Sequence, residues 1–209
     1  MIVLIICYDR LPNLMRWLDA WVRMDTMDCR LVFVITGNVP RFDLPCGVEV
    51  IRMPNLGKDI GALQRFIVAR DDYDRLFWCP DDFLPLRPDL LNCYHSADLV
   101  GTFWSTETSD HIRSGGVAVS RALARSLNFP PRLLRPRNSQ ESAHDSFAFE
   151  HLEYNFFKQT CDLGFTVKMA DGTIPPESPN WRDVEMEYLW DTRWWLDNYA
   201  CVKNYVCPF

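Results

Sequence analysis

The stretch Leu76–Pro85 reads LFWCPDDFLP. Four apolar residues run into Pro80 and two adjacent aspartates, Asp81 and Asp82, before Phe83-Leu84-Pro85 closes the segment. A short apolar run bounded by turn residues is the pattern of a strand buried on both faces. Its acidic end has two readings. It is a solvated turn, where aspartates are common, or the strand delivers carboxylates to a cleft that needs a cation or a proton. The segments around it bear on the choice.

Working outward, Ile2–Tyr8 is a second run of this type, rich in β-branched residues. Pro12 then opens a predicted helix with Leu14, Leu18, Trp21 and Val22 at helical spacing. Leu31–Thr36 reads as a strand ended by Gly37-Asn38, and Val48–Met53 as a shorter one ended by Pro54. Gly57–Ala69 reads as a helix with Ile60, Leu63, Ile67 and Val68 on one face. The order strand, helix, strand, strand, helix, strand predicts an α/β domain with a mostly parallel sheet. In such sheets ligands bind at the carboxyl ends of the strands. Those ends are Tyr8-Asp9-Arg10, Thr36-Gly37-Asn38, Pro54-Asn55 and Pro80-Asp81-Asp82, all polar or turn-forming.

The second half is less regular. Strands are expected at Asp98–Trp104, Gly116–Val119 and Phe165–Met169. Helices are expected at Arg121–Leu127 and over Phe147–Asp162, the latter ended by Leu163-Gly164. Phe129–Asn138, rich in Pro and Arg, is expected as a mobile loop, and Trp181–Tyr199 as an amphipathic helix. No repeat or composition break divides the 209 residues, so one domain is expected, with a nucleotide-binding half (1–95) and an acceptor-binding half (96–209). The abrupt end at Phe209 is read as that of a domain cut from a longer polypeptide with further domains.

Composition narrows the function classes. A net charge of −6 and the lack of any run of five Lys/Arg argue against a nucleic-acid partner. The eight cysteines form no CxxC pair, against zinc-ribbon and thioredoxin-like sites. Scattered thiols in a chain of this size point to a reducing, cytoplasmic setting. The apolar N-terminal run is too short for a membrane span, and none is expected elsewhere.

Five constellations carry chemistry. Tyr8-Asp9-Arg10 sets a carboxylate and a guanidinium beside a helix start, suited to a nucleotide's polar groups and phosphates. Asn55-Leu-Gly-Lys58-Asp59-Ile-Gly61 joins a strand to a helix; it is neither a P-loop nor GxGxxG. Asp81-Asp82 suits a hard divalent cation that bridges phosphates. His111-Ile-Arg-Ser-Gly115-Gly116 lets backbone lie against a flat ligand. Glu150-His-Leu-Glu153, with Asp145 upstream, offers carboxylates on one helix face as a general base. Each has a plain alternative: a local ion pair, a capped helix, an acidic turn, a simple turn, a solvated helix face.

Taken in order, these features resemble the GT-A glycosyltransferases over about Ile2 to Met169. NLGKDIGAL is also similar to polysaccharide glycosyltransferases of the rhamnan-synthesis type, and the chain resembles the glycosyltransferase domains that chloroviruses use on capsid glycans. The resemblance implies a Rossmann-like GT-A fold and a metal-dependent enzyme. It would move a sugar from a nucleotide-diphosphate donor, UDP by default, to a hydroxyl of a glycan or glycoprotein. The donor would lie near Tyr8, Asp9, Arg10, Asn38, Asn55, Lys58 and Asp59. Pro80-Asp81-Asp82 falls on the family's DxD motif with the first acid replaced by Pro80. Asp82, with Asp81, would hold Mn²⁺ or Mg²⁺, and Asp81 also matches a position near the ribose or sugar. Asp171 and His111 are open as a third ligand. Gly115 and Gly116 match the stretch lining the donor sugar. Glu153 matches the catalytic carboxylate, with Glu150 and Asp145 as rivals. Trp104, Trp181, Trp194 and Trp195 are either stacking platforms for acceptor sugars or core. The alternative from another class is a non-catalytic carbohydrate-binding or degenerate GT-A domain.

Overall fold

The computed structural model describes residues 1–26, 28–106, 108–135, 139–178 and 190–191. Its centre is a seven-stranded sheet. The strands are β1 (Ile2–Cys7), β2 (Arg30–Ile35), β3 (Glu49–Arg52), β4 (Arg75–Pro80), β6 (Leu99–Gly101), β9 (Val117–Ser120) and β10 (Val167–Met169). Their spatial order is β10-β6-β9-β4-β1-β2-β3. Only β9 runs against the rest: it pairs antiparallel with both β4 and β6, and every other pairing in this sheet is parallel. The α/β class with a mostly parallel sheet is therefore the one observed.

Burial on both faces explains the unbroken apolar runs. Ile2, Leu4 and Ile6 of β1 face one core layer, with Leu76 and Trp78 of β4. Over this face pack Ile60, Leu63, Phe66 and Ile67 of α2 (Lys58–Ala69), Leu123 of α3 (Arg121–Ser126), Phe149 of α4 (Ser139–His151) and Phe156 of α5 (Phe156–Asp162). Val3, Ile5, Cys7 and Phe77 face the other layer, against Leu14, Trp17 and Leu18 of α1 (Leu11–Trp21) and Leu90, Leu91 and Tyr94 of a 3₁₀ turn (Leu90–His95). Period-2 alternation thus sorts one strand between two helical layers. Two expected helix contacts fall outside: Val22 and Val68 are exposed, while Trp17 and Phe66 are buried.

The second half departs from expectation in several places. The segment Asp98–Trp104 splits into β6 and β7 (Trp104–Ser105), which pairs with β8 (His111–Ile112). The helix expected over Phe147–Asp162 is two helices broken at Leu152–Asn155. The Asn155 side chain accepts from the Lys158 N–H at 3.1 Å and starts α5 as its N-cap. The loop from Phe129 is packed as far as the structure describes it. Leu133 is buried against α2's start, and Phe129 stacks on Phe149 at 4.5 Å. Residues 136–138 of that loop lie outside the described residues. Of the expected helix Trp181–Tyr199, only Trp190–Asp191 is described, and it is a strand, β11, antiparallel to β5 (Leu84–Pro85). Trp104 is a core residue, edge-on to Phe157 at 4.9 Å; Trp181, Trp194 and Trp195 lie outside the described residues. Cys7 and Cys79 are buried as small core groups, and burial pushes the Cys7 thiol up to about 12. Among the described residues no helix is long and apolar enough to cross a membrane.

Candidate functional site

Parallel register brings the polar strand ends to one edge. Ile6 pairs with Pro80 and Cys7 with Ile35. The ladder continues one step past the strands, with Asp81 N–H donating to the Ile6 carbonyl at 3.1 Å and Thr36 N–H to the Cys7 carbonyl at 2.9 Å. Tyr8, Thr36-Gly37 and Asp81 therefore leave the sheet side by side. Tyr8 and Gly37 are in direct backbone contact: a Cβ on Gly37 would stand 1.7 Å from the Tyr8 carbonyl oxygen.

The two aspartates differ sharply. Asp81 is buried (5% exposed) and accepts from the Asn13 side-chain amide at 3.2 Å. Burial first, then the neighbouring Asp82 charge, push its carboxyl up to about 6, against the pull of Arg10, Cys7 and Asn13. Asp82 turns the other way. Its Oδ2 accepts from Arg10 Nη1 at 3.1 Å, while Oδ1 is buried with no hydrogen-bond partner. A lone carboxylate oxygen held dry and unpaired is unfavourable unless something else uses it.

The Asp81 environment has a measurable consequence. A carboxylate whose folded pKa stands above its unfolded value of about 3.9 binds more protons folded than unfolded in between. Stability therefore falls as pH rises from about 4 through about 6. Asp81→Asn removes the titration while keeping the shape and an oxygen for Asn13. In metal-free urea denaturation, the variant's stability relative to the parent is expected to grow by about 2–3 kcal/mol between pH 4 and pH 7.5. A difference that stays flat across that range would show that Asp81 is not buried as described.

Asp82 lines a cavity of about 180 Å³ together with Asp59, Pro80, Phe83, Arg113, Gly115 and Glu150. Part of its wall comes from Arg113–Gly115, just before β9, and from Glu150 near the end of α4. Glu150 Oε2 accepts from the Ser114 hydroxyl at 2.9 Å; its Oε1 lies 3.7 Å from Arg113 Nε and 3.4 Å from His151 Nε2. Burial alone would raise the Glu150 carboxyl, but Arg113 and the two nearby histidines outweigh it and hold it down to about 2. His111 and His151 stand ring against ring, centroids 3.9 Å apart, and both are buried. Burial, then the neighbouring His151, depress His111 to about 4. Asp59, in the first turn of α2, is held above the ordinary carboxylate value by burial and then by the Glu150 charge.

The expected site residues thus sort into groups. Asp59, Asp82, Gly115 and Glu150 share the cavity. Asp81 is buried beside it, and Gly116 packs behind it against Thr102, under the Tyr94 hydroxyl. Tyr8, Asp9, Asn38, Asn55 and Lys58 are exposed around the strand ends, with Arg10 half-buried. Glu153 is exposed in the turn after α4. It does not share a helix face with Glu150, because α4 stops at His151. Asp145 is buried on α4, 3.9 Å from His144 Nδ1, and is not among the residues lining the cavity. Asp171 is spent on Thr173, accepting from both its N–H and its hydroxyl. Sequence reasoning passed over Asn13, Arg113, Ser114 and His151. The last three sit inside stretches already singled out, one or two residues from the glycines and Glu150.

No known family profile matches the sequence, and neither does any curated protein. Similar solved structures include the galactosyltransferase LgtC in complex with donor and acceptor sugar analogues. That match has 10% identity and a TM-score of 0.49, over 81% of this chain and 73% of LgtC. HddC from Yersinia pseudotuberculosis is 13% identical with a TM-score of 0.48, over 80% and 88% of the two chains. TarS from S. aureus is 11% identical with a TM-score of 0.45, over 71% of this chain and 34% of TarS. At these identities and scores the likenesses concern the fold and assign neither activity nor ligand.

Proposed function

We propose that the chain is a glycosyltransferase that moves a sugar from a nucleotide-diphosphate donor to a hydroxyl of a glycan or glycoprotein. The observation that carries this reading is the Asp82 carboxylate. It stands at a strand end, in a cavity wall, with Arg10 on one oxygen and the other buried and unpaired. Such an oxygen fits a hard divalent cation, Mn²⁺ or Mg²⁺; Asp81, buried beside it and bonded to Asn13, would have to leave that partner to serve as the second carboxylate. When bound, the cation would offset the charge that develops on the leaving diphosphate.

The remaining roles follow from placement. A cavity of about 180 Å³ is smaller than the roughly 300–1,000 Å³ that encloses a whole drug-sized ligand. It suits the transferred sugar, with the nucleotide lying along the open edge by Tyr8, Asp9, Arg10 and Asn38. Arg10 reaches Asp82 and is partly exposed, so it can turn to a phosphate. Gly115 lines the sugar's side of the cavity. Of the three carboxylates considered as base, Glu150 is the one in the cavity wall. Held near 2, it serves as a fixed negative charge and holds the Ser114 hydroxyl. That leaves the acceptor's proton to the departing phosphate, or to Asp59, which also lines the cavity.

The test is a thermal-shift titration with UDP, GDP and dTDP, each with Mn²⁺ and with EDTA. A metal-dependent rise in Tm with one nucleotide is expected, by linkage of binding to folding, and UDP is the base expected. A flat response to all three would overturn the reading and favour a carbohydrate-binding domain that has lost the donor site.

A further inference from the structure

We propose that His111, Glu150 and His151 form a metal site distinct from Asp82, of the type that takes Zn²⁺, which Glu150 joins to the cavity. Among the described residues these three are the group whose ligand atoms converge, all within 4.8 Å of one another, and all three residues are largely buried. The site goes beyond the donor reading and does not rest on it.

Three features support it. First, His111 Nε2 and His151 Nδ1 are buried with no hydrogen-bond partner, and Glu150 Oε1 beside them has only longer ion-pair contacts, to Arg113 at 3.7 Å and His151 at 3.4 Å. Two buried ring nitrogens without partners, next to a carboxylate oxygen, are a costly arrangement unless a ligand uses them. Second, His111 Nδ1 lies 2.7 Å from the Ser109 carbonyl. A carbonyl only accepts, so Nδ1 carries the proton and Nε2 presents a bare lone pair. Metal-binding histidines are commonly fixed by this kind of outer hydrogen bond. Third, the site is braced. The Ser109 hydroxyl donates to the His151 carbonyl at 2.7 Å, and Phe147 stacks on the His151 ring at 4.1 Å.

The donor set selects the ion. Two imidazoles and one carboxylate suit zinc and its neighbours rather than Mg²⁺, which prefers oxygen ligands. Ligand bonds of about 2.0–2.2 Å require the three ligand atoms, within 4.8 Å of one another, to draw closer around the ion. Three protein ligands leave a fourth position. Because Glu150 also lines the cavity, an oxygen from water or a bound hydroxyl is the ligand that can complete it. An ion pair between Glu150 and His151 alone would leave His111 Nε2 unused. Arg113 and Asp59 are the other charged groups facing Glu150, one of each sign.

The experiment uses the full, metal-free chain with Zn²⁺ or Co²⁺ alone and no nucleotide. Histidine ring NMR on the unmutated chain is the primary readout. At one equivalent of Zn²⁺, the signals of His111 and His151 are expected to move, and those of His95 and His144 to stay. Co²⁺ should give the visible absorption of a four-coordinate ion. Glu150→Gln and His151→Ala should each weaken Zn²⁺ binding by about 100-fold or more, whereas Asp82→Asn should leave it unchanged. If no ring signal moves, if the other histidines move instead, or if Asp82→Asn abolishes binding, the site is not there. The nucleotide titration succeeds or fails separately from all of these.

Discussion

Asp82→Asn is expected to abolish the Mn²⁺-dependent Tm rise with nucleotide and to lower the transfer rate by about 100- to 1,000-fold, the range typical for losing one charge-stabilising group at a reaction centre. The fold should survive, because asparagine keeps the shape and leaves an oxygen for Arg10, whose guanidinium now donates to Asp82 Oδ2 at 3.1 Å. What disappears is the charge, and with it the use of the unpaired Oδ1. Arg10→Ala separates the two halves of the contact. It removes a partly exposed cation, so it should raise the donor's KM more than it lowers kcat. If metal-dependent binding survives Asp82→Asn unaltered, the donor's cation lies elsewhere and the strand end is an acidic turn.

Gly37→Ala is expected to remove about 3–5 kcal/mol of stability, enough to leave little folded chain at 37 °C. An added Cβ would sit 1.7 Å from the Tyr8 carbonyl oxygen and 2.5 Å from its carbon. Both are backbone atoms, so no rotamer change relieves the clash. The ends of β1 and β2 would have to part, and with them the hydrogen bond from Thr36 N–H to Cys7. Urea denaturation measures the loss. Gly47→Ala is the comparison: its added Cβ meets nothing within 4 Å, and its φ of +88° should cost only about 1–2 kcal/mol. Equal losses for the two variants would mean that the contact between the strand ends is not tight.

Much of the first half was legible because its signals are local. The run Ile2–Cys7 is buried at every position, so its pattern had no polar residue to confuse it. The parallel register then forces the polar residues after each strand onto one edge, which is why Asp82 and Asp59 were found without knowing their partners. The second half misled for a physical reason. Phe149 and Phe156 are seven residues apart, two helical turns, and their rings stack at 5.3 Å in the core. That spacing is also what one continuous helix would show, and within such a helix Glu153, three residues after Glu150, would share a face that the break at Leu152 removes. Glu150 had a solvated helix face as its plain reading. Only the packing of Glu150 and His151 against β8, from a distant part of the sequence, makes them a buried cluster. The two-residue strand at Trp190–Asp191 has no periodicity to read, and the partner that defines it is a hundred residues away.

The single reversed strand has a bearing on how the chain comes together. β3, β2, β1 and β4 are neighbours built from the first 80 residues, with connections that close over short loops and two helices. β6 follows next in the chain but has no edge to join: it touches neither β4 nor any earlier strand, only β9 and β10. β9 lies along β4 and presents its other side to β6. β9 is thus the four-residue link that joins β6 and β10 to the strands of the first half. That same link follows directly on Arg113-Ser114-Gly115-Gly116. The extension of the sheet and that part of the cavity wall therefore depend on the same short segment of chain.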